Sequence, residues 1–395
     1  MQVKSVHWDT HSATWSIPYI NRSSGESREL TSNFIVSCTG YYSYKGGYEP
    51  EFSGKDSFKG AFVHPQHWPN KLNYANKKVV IIGSGATAVS LVPEMAKKSA
   101  LVTMLQRSPT YMVSVPHEDK SVKYLRKFLS YKWEYRVTRT QKVAFQYSII
   151  HFSRTFPKQA KNLPLRGVRE QIGDSSEMEY FKPKYNPWDE RLCAVKDGDL
   201  FKAVRKGKAL VVTGTIKEIT ENGVQLHSGE FLEADIIVSA TGLNLEFFGG
   251  INIFVDGKEF DPTQRLNYKG IMVEQLPNIG FIFGYSNASW TLKADLTAEY
   301  LCRLINHMDK SDTRQCMPVN SDSRVVGKDF LDLHSGYVQR GIHKFPFAGN
   351  KTPWKLFQIY PIDLMILRYG KVEDSVMRFT NTPQTGESDV QAMPA

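Results

Sequence analysis

The stretch KKVVIIGSGATAVSLVPEMAKKSALVTMLQRSPTY, residues 77–111, decides the fold. Val79–Ile82 is an unbroken β-branched run, the pattern of a strand buried on both faces of a parallel sheet. It leads into Gly83-Ser84-Gly85-Ala86-Thr87-Ala88 and then a helix expected to run to about Lys97. Leu101–Leu105 supplies a second apolar strand, which completes a βαβ unit. The turn has G-x-G-x-x-A spacing, and each position has a physical reason. Gly83 permits the tight turn, Gly85 lets the backbone approach a pyrophosphate, and Ala88 lets the helix pack closely on the strand. N–H groups at the helix start and the positive end of its dipole then face phosphate charge. Gly83, Ser84, Gly85, Ala86, Thr87 and Ala88 are therefore the expected dinucleotide-binding residues. The second strand ends in Gln106-Arg107-Ser108, where an acid would hold an unphosphorylated ribose. Arg107 offers a guanidinium to a 2′-phosphate instead, so NADPH is expected over NADH, with Arg107 and Ser108 in the cofactor site.

Outward from this unit, VKSVHW and ATWSIPYI flank a turn at Asp9–Ser12, and NFIVSCTG follows. This reads as a β-meander and then a buried strand. That strand ends in Cys38-Thr39-Gly40, and a later one ends in Ala240-Thr241-Gly242. Either alone is a common turn. Together they bracket the βαβ unit and predict one nucleotide domain inserted into another. The expected fold is α/β, with two nested Rossmann-like dinucleotide-binding domains and a helical insertion. The boundaries read as follows: 1–45 is the first part of the outer domain, and 46–75 is an extended linker. Residues 76–110 and 190–235 form the inner domain, 111–189 the helical insertion, and 236–395 the remainder of the outer domain. Turns at Asn222-Gly223 and Ser228-Gly229 separate short strands, a long helix follows Trp290, and coil dominates after 340.

With 395 residues, 41% of them hydrophobic, and ordinary Gly and Pro usage, the chain is neither a small module nor a disordered one. Cys38, Cys193, Cys302 and Cys316 are widely spaced, which supports neither a disulfide framework nor a zinc site and suits a reducing, cytoplasmic setting. No apolar run is long enough to span a bilayer. Of the net charge of +10, nearly all lies in residues 118–170, which hold 13 Lys and Arg against 4 Asp and Glu. Lys120, Lys123, Arg126, Lys127, Lys132, Arg136, Arg139 and Lys142 interleave there with Tyr124, Phe128, Trp133 and Phe145. Two readings stand: a solvated helical subdomain, or a peripheral contact with an anionic membrane surface. No nucleic-acid motif accompanies the charge, so no nucleic-acid partner is expected. Nor is there a G-x-S-x-G elbow for a hydrolase.

Residues 58–69 read Phe58-Lys59-Gly60-Ala61-Phe62-Val63-His64-Pro65-Gln66-His67-Trp68-Pro69. The pattern F-x-G-x-x-x-H-x-x-x-W-P resembles the fingerprint of the Baeyer–Villiger monooxygenases, flavoproteins that insert an oxygen atom into ketones. Phe58, Gly60, His64, Trp68 and Pro69 occupy its fixed positions. Related flavin-containing monooxygenases that oxidise N and S centres share the Phe, Gly and His but usually lack the Trp-Pro ending. Residues 39–52, 79–93, 185–209, 233–244 and 284–296 are similar to the subgroup of ethionamide-activating monooxygenases.

The resemblance implies FAD and NADPH as cofactors, O2 as co-substrate, and a small ketone or a soft N or S centre as substrate. Reduced flavin would take up O2 as a peroxide that transfers one oxygen atom. Arg191, in Asn186-Pro-Trp-Asp-Glu-Arg191-Leu-Cys, matches the segment bearing the family's active-site Arg and is the catalytic candidate. It would be a permanent cation beside developing negative charge. The residues alone also allow Arg191 to pair with Asp189 or Glu190 as a structural ion pair. His64 is expected to couple domain positions through a hydrogen bond rather than to act as a base, and no metal is expected. The segment Gly284–Leu292 has its family counterpart near the flavin ring. Family members also carry an earlier G-x-G-x-x-G for the FAD pyrophosphate, and none precedes Gly83 here. The resemblance thus implies a chain short at its N-terminus, with the outer, FAD-binding domain incomplete and impaired in holding FAD. A non-catalytic NADP-binding or membrane-surface remnant is the alternative.

Overall fold

The structure, a computed structural model, describes residues 1–173, 176–187, 189–190, 192–331, 333 and 335–381. It divides into two compact units. One comprises the described residues of 43–244 and 333–339; the other comprises 1–42, 245–331 and the described residues from 340 onward. The inner unit is thus inserted into the outer one between Tyr42 and Leu245.

The inner unit is built on a five-stranded sheet in which every neighbouring pair is parallel. Its order is Ala209–Thr213, Leu101–Gln106, Lys78–Ile82, Ile236–Ser239, Ala61–Val63. Parallel strands need covered faces, and the alternation within Lys78–Ile82 shows what covers each. Val79 and Ile81 join a core with α1 (Ala86–Met95), which contributes Ala88, Val89, Val92 and Met95. Val80 and Ile82 face an antiparallel meander of Ile216–Thr220, Gly223–Leu226 and Phe231–Glu233, through Ile219, Val224, Leu226 and Leu232. The basic segment forms α2 (Lys120–Leu125), α3 (Tyr131–Thr155) and α4 (Pro157–Ile172). Of these, α4 adds Val168 and Ile172 to the helix-side core, where α5 (Asp199–Arg205) adds Leu200 and Phe201.

Three expected boundaries move. Ile236–Ser239 is not the start of the outer domain but a fully buried strand of the inner sheet, paired with Lys78–Ile82. Residues 46–75 are not wholly linker, because Ala61–Val63 is the edge strand of that sheet. Within 111–189, Met112–Val115 is a strand rather than helix and pairs in parallel with Cys193–Lys196.

In the outer unit, Ser5–Asp9 and Thr14–Ile20 pair across the expected turn, Ser27–Ser32 adds a third strand that was not expected, and Asn252–Val255 runs parallel to Ser5–Asp9. Asp9 Oδ1 accepts from the His11 and Ser12 N–H groups and shapes the first turn. Ser27–Ser32 is exposed at five of its six positions, so no apolar alternation marks it in the sequence. Ile35–Ser37 pairs in parallel with Ile279–Phe281, but it is not the buried strand expected: Ile35 and Ser37 are half-buried and Val36 is exposed. The long helix α6 (Trp290–Lys310) buries Leu292, Leu296, Tyr300, Leu304 and Met308, one side chain per turn along a single face. The region after 340 is more structured than a coil reading allows. Arg303 donates to the carbonyls of Leu367, Arg368 and Gly370, and Met377–Thr380 pairs with Gln315–Pro318.

Candidate functional site

In the inner unit, the carboxyl ends of two adjacent parallel strands meet. Lys78–Ile82 delivers Gly83, and Ile236–Ser239 delivers Ala240-Thr241-Gly242. Gly83 has φ +136°, and a Cβ there would lie 2.4 Å from the Ala240 carbonyl oxygen. Only glycine fits, on both conformational and steric grounds. Its N–H donates to the Leu105 carbonyl at 2.8 Å, tying the turn to the neighbouring strand. Gly85, two residues on, differs. It caps α1 without a side-chain hydrogen bond, and a Cβ built on it meets nothing within 4 Å. Space therefore opens over the helix N-terminus, where orphan N–H groups and the dipole favour an anion. Ala86 and Thr87 are exposed at that end, while Ala88 is fully buried against the sheet.

Ser84 fixes the next element. Its hydroxyl shares a 2.8 Å hydrogen bond with Thr110 Oγ1 and donates to the Ser108 carbonyl at 3.3 Å. The 107–110 loop is thereby held against the Gly-rich turn, with Arg107 exposed beside it. Among the described residues Arg107 has no ion-pair partner. Behind the loop, the Cys193 thiol donates weakly to the Ser84 carbonyl, and burial pushes the Tyr185 phenol up to about 12. Thr110, Tyr185 and Cys193 were not expected in the nucleotide site. Their only sequence signal is position close to a strand end or a Pro, which is too common to use.

The fingerprint becomes a strand with a cap. Phe58 packs against the meander-side core, and a Cβ on Gly60 would strike the Asp235 carbonyl at 2.2 Å, so Gly60 lets the edge strand approach. Ala61–Val63 then pairs with Ile236–Val238, and the strand ends at His64. His64 Nδ1 accepts from the Gln66 N–H at 3.2 Å, and Nε2 lies 3.4 Å from the Gly242 carbonyl. A carbonyl only accepts, so Nε2 carries the proton and both ring nitrogens are engaged. Trp68 packs against the helix-side core, and the Pro69 carbonyl accepts from the Leu72 N–H. Around His64, the Thr241 hydroxyl donates to the Tyr48 carbonyl, the Tyr48 N–H to the Gly242 carbonyl and the Asn244 amide to the Gly46 carbonyl. The two segments bound together here, 46–48 and 241–244, are those by which the chain enters and leaves the inner unit.

In the outer unit, the parallel pair Ile35–Ser37 and Ile279–Phe281 likewise brings two strand ends together, at Thr39-Gly40 and Gly284. Gly40 has φ +71° with open space around it. The Trp290 ring lies on Gly284, where a Cβ would sit 2.0 Å from it, and stacks with Tyr41 at 5.0 Å. One turn along α6, Lys293 is buried with its ammonium 3.1 Å from Asp363, whose other oxygen accepts from the Tyr285 hydroxyl at 2.8 Å. Burial pulls the Lys293 ammonium down from its ordinary value, and Asp363 opposes that. Arg191, the catalytic candidate, lies outside the described residues. Its neighbour Asp189 accepts from the Asn186 N–H at 3.0 Å. Among the described residues no group of three His, Cys, Asp or Glu side chains is placed to hold a metal.

A parallel sheet with a Gly-rich turn at its carboxyl edge defines a dinucleotide-binding α/β protein. Residues 2–276 match the model of the flavin-binding monooxygenase-like family, and the chain belongs to that family, a group of oxidoreductases. It is 43% identical over 381 residues to the FAD-containing monooxygenase EthA of Mycolicibacterium smegmatis, a match covering 96% of this chain and 77% of the relative. With EthA of Mycobacterium tuberculosis it shares 42% over 384 residues, covering 97% and 78%. A solved structure of oxidized steroid monooxygenase bound to NADP superposes with a TM-score of 0.65 at 17% identity, over 96% of this chain and 80% of that one. At that identity the likeness is one of fold.

Proposed function

We propose that this chain is an NADPH- and FAD-dependent monooxygenase that transfers one oxygen atom from O2 to a ketone, or to a soft N or S centre. The observation that carries the reading is the crossing of Gly83 under Ala240 with open space over Gly85, an anion cradle at the carboxyl edge of the sheet. There the α1 N-terminus would take the pyrophosphate of NADPH and Arg107 its 2′-phosphate. FAD would lie along Thr39-Gly40 and Gly284–Trp290, where open backbone and a rigid aromatic platform fit a nucleotide and a flat ring. Bound FAD supplies hydride acceptance and the activation of O2. The protein's part is positioning and charge. Arg191 supplies a cation that needs no protonation. His64, with both ring nitrogens engaged, holds the two segments that enter and leave the inner unit.

The fingerprint ending Trp68-Pro69 favours ketone oxygenation over N or S oxidation. The test is direct: protein supplied with FAD is mixed anaerobically with NADPH, and the flavin absorbance is followed. Air and a simple cyclic ketone are then added, and ester is measured by gas chromatography. Bleaching followed by ester formation supports the reading. Absence of bleaching, or NADPH consumption that yields sulfoxide from a thioether but no ester from any ketone, overturns it in whole or in its ketone part.

A further inference from the structure

We infer that α2, α3 and α4 form a docking surface for an anionic lipid bilayer. A solvated subdomain tucks its apolar side chains inward and shows charge outside. Here α4 buries Ala160, Val168 and Ile172, but α3 buries no apolar side chain and shows aromatics and charge together on its surface. The only buried residues on the 25-residue α3 are Glu134 and Ser153. The chain exposes 23 large hydrophobic side chains among the described residues, and 11 of them fall between residues 118 and 170. Nine of those are aromatic, among them Phe128 at 71%, Tyr131 at 74%, Trp133 at 58% and Phe145 at 64% exposed. Exposed apolar surface concentrated in this way marks an interaction site.

Charge decides the partner. The same segment carries 13 Lys and Arg against 4 Asp and Glu. Lys142 bonds Asp119, Arg126 bonds Glu134 and Arg166 bonds Glu170, but Lys127, Lys132 and Arg136 make no ion pair among the described residues. At the helical repeat of 100° per residue, Lys132, Arg136, Arg139 and Lys142 share one side of α3. Trp133, Val137, Phe145 and Phe152 share another. The two stripes border each other, and the Arg136 guanidinium lies 5.3 Å from the Trp133 ring. Basic side chains beside Trp, Tyr and Phe are the composition of helices that lie in the headgroup layer, the cations on anionic headgroups and the rings at the acyl boundary. A second copy of a surface this basic would meet like charge. No helix among the described residues is long and apolar enough to cross a bilayer, so the contact is peripheral.

Docking of this surface would be independent of the reaction catalysed. It is tested by sedimenting the full chain with phosphatidylcholine vesicles, with and without 30 mol% phosphatidylserine, at about 20 and about 300 mM salt, where screening differs severalfold. Binding to the anionic vesicles at low salt, with a blue shift of tryptophan emission that Trp133→Phe diminishes, is expected. Lys132→Glu/Arg136→Glu/Arg139→Glu should lower partitioning at least about tenfold, since each cation near an anionic surface contributes measurably. Trp133→Ala/Phe145→Ala should lower it severalfold. Retained NADPH binding and circular dichroism show that the variants are folded. Binding indifferent to phosphatidylserine, no binding at all, or a lipid-free dimer abolished by the same substitutions would overturn the inference, the last by showing that a second copy covers the face.

Discussion

The imidazole of His64 packs on Gly47, so close that a Cβ on Gly47 would sit 1.9 Å from His64 Cε1. From this position Nε2 reaches the Gly242 carbonyl, and the ring bridges the segment entering the inner unit and the segment leaving it. Gly47→Ala and His64→Ala should therefore damage the same contact. Each is expected to cost about 1–3 kcal/mol of stability or an equivalent loss of turnover, and the double variant little more than either one. A double-mutant cycle on denaturant midpoints and on NADPH oxidation checks this. Full additivity would show that the two positions act apart.

Gly83→Ala combines a strained positive φ with a contact on the backbone of Ala240 that cannot move aside. Destabilisation of at least roughly 2 kcal/mol is expected, together with loss of nucleotide binding. Gly85→Ala meets no atom within 4 Å, so it should leave stability nearly unchanged and weaken nucleotide binding by filling the space over α1. Thermal unfolding with and without NADPH separates the two effects.

For Arg107→Ala, the preference for NADPH over NADH should fall by roughly 10- to 150-fold, the worth of a charge-assisted phosphate bond. Titration of both nucleotides measures it. Affinity for NADH should not change, because Arg107 has no other partner to release among the described residues.

Arg191→Ala should keep NADPH binding and flavin reduction but lower ester formation by about 10²–10³-fold, as expected for loss of one preorganised charge stabiliser. NADPH oxidation that continues while releasing hydrogen peroxide is the signature. Ester formation at the parent rate would exclude Arg191 from the oxygenation step and favour its pairing with Asp189 or Glu190.

Asp119 caps α2, accepting from the Ser121 N–H at 2.9 Å, and bonds Lys142 on α3 at 2.5 Å. The Lys142 and Ser121 hydrogen bonds hold its carboxyl down at about 2. The folded value lies below the unfolded one near ~3.9, so its contribution is present above pH ~4 and disappears as pH falls through about 2. At neutral pH, Asp119→Ala should cost about 0.5–2 kcal/mol, the worth of an N-cap. The gap between variant and parent in unfolding midpoint should narrow steadily below pH 4.

By itself the sequence determined the features that a few consecutive residues can encode. Val79–Ile82 and Gly83–Ala88 are legible as strand and turn because β-branching, glycine torsions and helix packing act locally. The nesting was legible too, since Thr39-Gly40 and Thr241-Gly242 repeat one strand ending. Tertiary structure alone decided which sheet each strand joined. Ile236–Ser239 is four buried residues whose sequence suits either unit, and its place beside Lys78–Ile82 follows from the meander and helices that cover that sheet. The same holds for Gly47, which nothing in its own neighbourhood explains, and for the aromatics of α3, whose spacing allows a buried face. Burial and close approach depend on residues far away along the chain, and a local pattern states what an element can pack against without stating what arrives to pack.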